Sequence, residues 1–280
     1  MEKSSERKAG LFARLFKGAK TTPSNDKRPK LVYDPRDNIE DFQPEPLDMC
    51  FCGSGEFFKA CCGSTENDRE PPYGVFVFEN YLSGNVIKEL RSYLDTQPGE
   101  PLTVIDEELS TADNIVTKMD NQRRSDRVDM GDYYSAVNKI MRKAFIDLSE
   151  ECIGLKMDWY EPPQLLRYHA NGFYNSHSDA ENMNLEKKTW SKVIDRDLSL
   201  LIYLNDDFEG GNLLFDKFNY TIRPKAGTAV LFPSDHRYLH TAQTVHKGIR
   251  QALVSWGAVT GVRKISSNPP EGAIMINFNQ

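Results

Sequence analysis

Three residues in this chain, His177, Asp179 and His240, have the types and spacing to hold one metal ion. Residues i and i+2 of a strand point to the same face, so His177 and Asp179 can grip an ion together from a single strand. The third ligand must come from a strand distant in sequence and packed opposite. His240 meets that requirement, and Arg250 follows it closely. Two neutral imidazoles and one carboxylate, with nothing further, are the ligand set of non-haem Fe(II) sites that leave half the coordination sphere open for a cosubstrate and O₂. All five histidines fall in one window, and the other three, His169, His236 and His246, are expected at surface or loop positions rather than as ligands.

These side chains need a scaffold, and the patterning supplies one. Arg250-Gln-Ala-Leu-Val-Ser-Trp256 reads as a buried strand that could carry Arg250 to the floor of the same pocket. Val75–Phe78 reads as another strand, after which Ser83 can cap a helix with Val86, Ile87, Leu90, Tyr93 and Leu94 at its apolar positions. A longer helix is expected over 131–152, with Tyr134, Val137, Met141, Phe145, Leu148 and a buried Cys152 on one face. Both helices should brace the outer face of the main sheet. From residue 158 onward short strands alternate with turn signals, which suits a double-stranded β-helix, a jelly roll whose open end holds the metal. The fold class expected is mainly β with flanking helices. Gly210 and Gly211 are read as turn geometry, and Ala273–Phe278 could add an edge strand.

The resemblance that ties these pieces together lies in four segments. Tyr168-His-Ala-Asn-Gly172-Phe173-Tyr174-Asn-Ser-His177-Ser-Asp179 resembles the first metal-ligand segment of the prolyl 4-hydroxylase branch of the 2-oxoglutarate/Fe(II) dioxygenases. Leu200–Gly211 is similar to that family's next strand and turn, and Pro224–Pro233 to the strand leading to its distal histidine. His240 through Val245, with Gly248, Arg250 and Trp256, completes the order. The resemblance implies that His177, Asp179 and His240 bind Fe(II). It implies that Arg250 pairs with the far carboxylate of 2-oxoglutarate, helped by Tyr203, with Tyr168 lining the pocket. A planar guanidinium suits that task because it meets a carboxylate in bidentate fashion. On pattern alone the two tyrosines could instead be ordinary half-buried strand residues.

The implied reaction is decarboxylation of 2-oxoglutarate to succinate coupled to hydroxylation of a C–H bond, with L-ascorbate as a helper that keeps the iron reduced. The implied substrate is a protein or peptide side chain, prolyl first. An oxygenase acting on a small molecule or nucleobase is the nearest alternative, because Gly211-Asn-Leu-Leu-Phe215 departs from the family's Glu-Thr after the glycines. A non-catalytic adaptor and a zinc hydrolase are further alternatives, both at odds with Arg250 in its matched position. Asn121–Val128 resembles a mobile Arg-Ser segment that covers the substrate groove in prolyl hydroxylases, and could equally be a plain solvated loop.

A second metal site is written upstream. Cys50, Cys52, Cys61 and Cys62 make a C-x-C, an eight-residue spacer and a C-C, with Gly-Ser-Gly turning after the first pair. Four thiolates suit a closed tetrahedral Zn²⁺. The segment resembles the SEC-C motif, although Lys59 alone remains of the family's basic spacer. Disulfides are the competing account. No signal peptide is legible at the N-terminus, so metal ligation and a cytoplasmic setting are expected.

Net charge is −6, yet residues 1–30 carry nine Lys/Arg against three Asp/Glu, so the body is acidic and offers no overall footprint for nucleic acid. No apolar run approaches a membrane span. Gly10–Lys20 sets Leu11, Phe12, Leu15, Phe16 and Ala19 on one helical stripe that could meet an anionic membrane or a partner groove, or stay disordered. The layout expected is a basic tail and linker over 1–46, a zinc knuckle over 47–65, an oxygenase domain over 73–262 and a C-terminal extension over 263–280.

Overall fold

The computed structural model describes residues 31–32, 39–66, 69–105, 117–119 and 121–276. The basic segment 1–30, with its amphipathic stretch, lies outside the described residues. The body is built, in chain order, from β1 (Phe76–Phe78), helix α1 (Gly84–Leu94), β2 (Gly99–Pro101), β3 (Arg123–Arg124), β4 (Asp126–Val128), helix α2 (Tyr134–Ala144), β5 (Met157–Tyr160), β6 (Gln164–Tyr168) and β7 (Phe173–His177). It continues through β8 (Leu198–Tyr203), β9 (Leu213–Phe215), β10 (Tyr220–Ile222), β11 (Ala229–Pro233), β12 (His240–Ala242), β13 (Arg250–Val259) and β14 (Ile274–Met275).

Two antiparallel sheets result. The larger runs β1-β11-β8-β13-β6-β4-β2, with β5 beside the far end of β13 and β14 along β5; the smaller runs β10-β9-β12-β7-β3. Alternation along the strands explains the layering. Leu198, Leu200 and Ile202 of β8 belong to one apolar cluster with Ile87, Leu90 and Leu94 of α1 and Val137, Met141 and Ala144 of α2. Their neighbours Leu201 and Tyr203 belong to a second cluster with Leu213, Phe215 and Ala242 of the smaller sheet. The larger sheet is therefore covered on both faces, by helices outside and by the smaller sheet inside, which is why β8 reads as a continuous apolar run.

The α1 helix starts where expected, its first turn capped by the Ser83 hydroxyl accepting from the Val86 amide. The helix expected over 131–152 is instead three pieces: a 3-10 turn at Gly131–Tyr133, α2, and a wider π-helical stretch at Phe145–Cys152. Within that stretch the Ser149 hydroxyl donates back to the Phe145 carbonyl, competing with the regular backbone ladder. Tyr134, placed on the apolar face by periodicity, is exposed, and Cys152 is half-buried rather than buried.

Two further stretches differ from expectation. Residues 39–46, read as linker, join the body: Ile39–Glu40 pairs with Thr189–Lys192, and the Asp41 carboxylate accepts from Trp190 Nε1 (2.8 Å) and Lys217. Residues 123–128 are not a plain solvated loop but two short strands. β3 pairs with β7 and β4 with β6, so the chain crosses from one sheet to the other at buried Ser125, whose hydroxyl accepts from Arg123 Nε at 2.7 Å. The C-terminal edge strand expected over 273–278 is present as β14. No helix among the described residues is long and apolar enough to cross a membrane.

Candidate active site

The smaller sheet brings the first three residues together. His177 ends β7, His240 begins β12, and the two are cross-strand partners with ring centroids 4.2 Å apart. Asp179, two residues on, lies between them: His177 Nε2 is 3.6 Å from Oδ1 and His240 Nε2 is 3.6 Å from Oδ2. One ligand atom from each residue lies within 4.8 Å of the others. Ligands about 2.1 Å from a common ion sit roughly 3 Å apart, so small side-chain shifts close this set on a metal.

The atoms facing away from the centre are also spoken for. His177 Nδ1 donates to the Asn175 carbonyl (2.8 Å) and His240 Nδ1 to the Tyr238 carbonyl (3.1 Å). A carbonyl can only accept, so both rings carry their proton on Nδ1 and turn the Nε2 lone pair to the centre. Asp179 Oδ2 accepts from the Ser199 hydroxyl (2.6 Å), which is linked to Ser234 Oγ at 2.7 Å. Burial by itself would push the Asp179 carboxyl up, yet His240, His177 and Ser199 hold it well below the usual carboxylate range. Burial, with His177 alongside, pushes His240 down to about 4, so its ring is neutral at pH 7 and free to ligate.

The larger sheet supplies the second half of the pocket. Arg250, at the start of β13, is buried and faces Tyr168 of β6 as its cross-strand partner. Its guanidinium lies 4.7 Å over the Tyr168 ring and 5.2 Å over the Tyr203 ring, and donates one bond to Tyr203 Oη at 3.1 Å. Its Nε and Nη1 have no hydrogen-bond partner among the described residues. Leaving charged donors buried and unpaired costs on the order of 1–3 kcal/mol or more, so this cradle suits an anion.

Several residues that shape the site were not singled out in the sequence. Ser199 and Ser234 steady Asp179, and a lone serine inside the apolar run Leu198–Tyr203 was the available signal. Tyr174 stacks on His177 with centroids 3.6 Å apart, and the Arg123 guanidinium lies 4.8 Å over the Tyr174 ring. Phe215 and Phe232 wall His240, at 6.2 and 4.8 Å. His169 and His246 are exposed, as expected. His236 is not: it is buried, with its ring nitrogen and its amide both donating to the Glu181 carboxylate at 2.7 Å, and Trp190 stacks on it. A paired imidazole tolerates burial that an isolated one would not.

The four cysteines also converge. Their sulfur atoms lie within 4.8 Å of one another, Cys52 and Cys61 at 3.4 Å, and no pair is joined as a disulfide. Thiolates about 2.3 Å from a tetrahedral ion are roughly 3.8 Å apart, so the spacing fits. Hydrogen bonding from Cys62 draws the Cys50 thiol down to about 5, whereas burial raises Cys61 to about 11 and hydrogen bonding to Cys50 raises Cys62 further. Without a cation the cluster resists full ionisation, and a divalent ion would supply the missing charge. Cys50, Phe58 and Cys62 belong to the same apolar cluster as Tyr168, Tyr203 and Tyr238, so the knuckle packs into the body.

Among known proteins, residues 163–257 match the family model of the 2OG-Fe(II) oxygenase superfamily. The chain is 39% identical over 66 residues to human prolyl 3-hydroxylase 2, covering 22% of this chain and 9% of that protein. It is 39% identical over 100 residues to the PKHD-type hydroxylase PsycPRwf_1523 of Psychrobacter sp. (strain PRwf-1), covering 34% and 37%. The chain thus spans well under two thirds of either relative. Among solved structures, a Pseudomonas putida prolyl-4-hydroxylase is 20% identical with a TM-score of 0.44, over 67% of this chain and 94% of that one.

Proposed function

We propose that the chain is a 2OG-Fe(II) oxygenase, a reading supported by the family match over residues 163–257, and that it hydroxylates a protein or peptide side chain, a prolyl residue first, with Fe(II) and 2-oxoglutarate. The observation that carries this reading is the pairing of His177, Asp179 and His240 with a buried guanidinium that has two unpartnered nitrogens. A metal hydrolase would have no use for the latter. The substrate class is supported by the human relative, which is named a prolyl 3-hydroxylase.

His177, Asp179 and His240 would hold the iron. Ferrous iron with 2-oxoglutarate and O₂ would supply the oxidising chemistry, in which decarboxylation to succinate and CO₂ takes up one oxygen atom and hydroxylation of a C–H bond the other. The protein's part is positioning. Asn175 and Tyr238 keep both imidazoles aimed by their Nδ1 protons, and Ser199 keeps Asp179 anionic and turned inward. Arg250 and Tyr203 receive the far carboxylate of the cosubstrate, with Tyr168 stacked beneath the guanidinium. Phe215, Phe232, Ala252 and Val254 keep water from the pocket's inner wall, where a carboxylate–guanidinium pair gains strength. L-Ascorbate belongs to the proposal as the reductant that restores ferrous iron. Zinc on Cys50, Cys52, Cys61 and Cys62 is its structural counterpart, and a reducing cytoplasmic setting suits four adjacent thiols.

The test is succinate formation from 2-oxoglutarate by the full chain with Fe(II), ascorbate and air, with and without proline-rich peptides. The expected result is peptide-stimulated succinate above an Asp179→Ala background and a matching 16 Da gain on the peptide, about one oxygen atom. Succinate without any peptide product would move the substrate to another class, and no succinate at all would end the oxygenase reading.

A further inference from the structure

The two candidate metal-ligand clusters are joined by a line of hydrogen bonds through Tyr73 and Tyr238. The Tyr73 amide donates to Cys62 Sγ at 3.4 Å. The Tyr238 hydroxyl donates to the Tyr73 carbonyl at 2.9 Å, and the Tyr238 carbonyl accepts from His240 Nδ1 at 3.1 Å. Tyr238 is only 1% exposed, so its hydroxyl has no water to turn to if the Tyr73 carbonyl moves away. The contact is also sterically built. Gly74 has φ of +90°, and a Cβ there would lie 2.1 Å from the Tyr238 hydroxyl oxygen. Only glycine lets that hydroxyl lie against the backbone that follows the cysteines.

A second set of contacts runs parallel to the first. Arg69 donates to the Cys62 carbonyl and to the Phe218 carbonyl, each at 2.7 Å. Phe51, between the first two cysteines, stacks on Phe218 at 5.6 Å, and Phe218 packs on Tyr238, also at 5.6 Å. The cysteine segment thus grips the turn at His236–Tyr238 that leads straight into β12 and His240.

We propose that the four-cysteine centre positions the His240 imidazole, acting through the Tyr73 backbone and Tyr238. The proposal rests on the reading that both clusters hold metal ions. With the thiolates drawn onto a cation, Cys62 holds Tyr73 in place, Tyr73 holds the Tyr238 hydroxyl, and the Tyr238 carbonyl fixes the rotation of His240. With the thiolates released, the Tyr238 hydroxyl loses a fixed acceptor and the ring it controls is free to turn. The partner on the far nitrogen of a ligating histidine commonly affects metal affinity by about 10–100-fold. Tyr238 is a positioning residue in this scheme, one bond removed from the metal ligand.

The experiment measures Mn(II) affinity of the full chain by electron paramagnetic resonance, in zinc-loaded and zinc-stripped protein, for the parent and for Tyr238→Phe. Mn(II) is chosen because it favours a site with a carboxylate over one of thiolates alone. The variant keeps the Tyr238 carbonyl and removes only the hydroxyl. Far-UV circular dichroism verifies that each sample is folded. Stripping zinc should weaken Mn(II) binding in the parent about tenfold. In zinc-loaded Tyr238→Phe the loss should be similar, and zinc removal should then add little. Mn(II) binding indifferent to zinc would sink the inference alone, as would a zinc effect of full size in Tyr238→Phe. Should stripping unfold the protein, unchanged Mn(II) affinity of zinc-loaded Tyr238→Phe would overturn the relay by itself. Failure of the parent to bind Mn(II) would instead remove the iron reading, and this inference with it.

Discussion

At the scale of single residues, His240 makes the site sensitive to acid before any substrate is bound. Its ring titrates near 6.5 in an unfolded chain and at about 4 in the folded protein. Between these values the unfolded state binds more protons, so the contribution is complete above pH 6.5 and is lost as pH falls toward 4. Metal-free protein should therefore lose about 2 kcal/mol between pH 7 and pH 5, at 1.36 kcal/mol per unit. Urea denaturation at the two pH values checks this, and His240→Gln should flatten the difference. Asp179 adds nothing in that window: its carboxyl is held low, so its contribution persists above 3.8 and falls away only below. The His177–Asp179–His240 set was legible because its residues sit in segments with recognisable neighbours, although the strand ends at His177 and Asp179 lies in the bend beyond it. Ser199, Ser234 and the Glu181–His236 pair were not, because each acquires its role from a partner remote in the chain.

At the scale of elements, the sheet reaches through to the helix it carries. Arg167 of β6 is buried and donates to the Leu94 carbonyl (2.8 Å) and the Gln97 carbonyl (2.9 Å), satisfying the C-terminal end of α1. A cation there also meets the negative end of the helix dipole. Arg167→Met should cost about 2 kcal/mol in chemical denaturation, the scale of charged hydrogen bonds, and leave Fe(II) binding intact. A loss within about 0.5 kcal/mol would mean that α1 ends without this support. The apolar periodicities of α1, β8 and β13 were readable before the structure, since each buries a face that its own sequence displays. The strands at 39–40 and 123–128 were not, because their short, largely charged sequences carry no period and only pairing partners elsewhere make them strands.

For the whole molecule, the knuckle and the body share one apolar cluster, in which Cys50, Phe58 and Cys62 lie with Tyr203, Phe215 and Tyr238. A module with its own core would melt by itself when its metal is removed. Here chelation of zinc should lower the melting temperature of a single transition rather than add an early one, as differential scanning calorimetry would reveal. Two resolved transitions after chelation would separate the knuckle from the body.

The position of β13 bears on how the chain is made. This ten-residue strand lies between β8 and β6 and also takes up β5, yet it follows nearly all of its partners in sequence. Until residue 259 has left the ribosome, β6 and β8 have no neighbour between them, and their apolar edges stand open to other chains. Arg250 enters the pocket on that same strand, so the cosubstrate cradle and the closed sheet come into being in one step. The nascent protein would need shielding until β13 has emerged, and the proposed cosubstrate site would form only then.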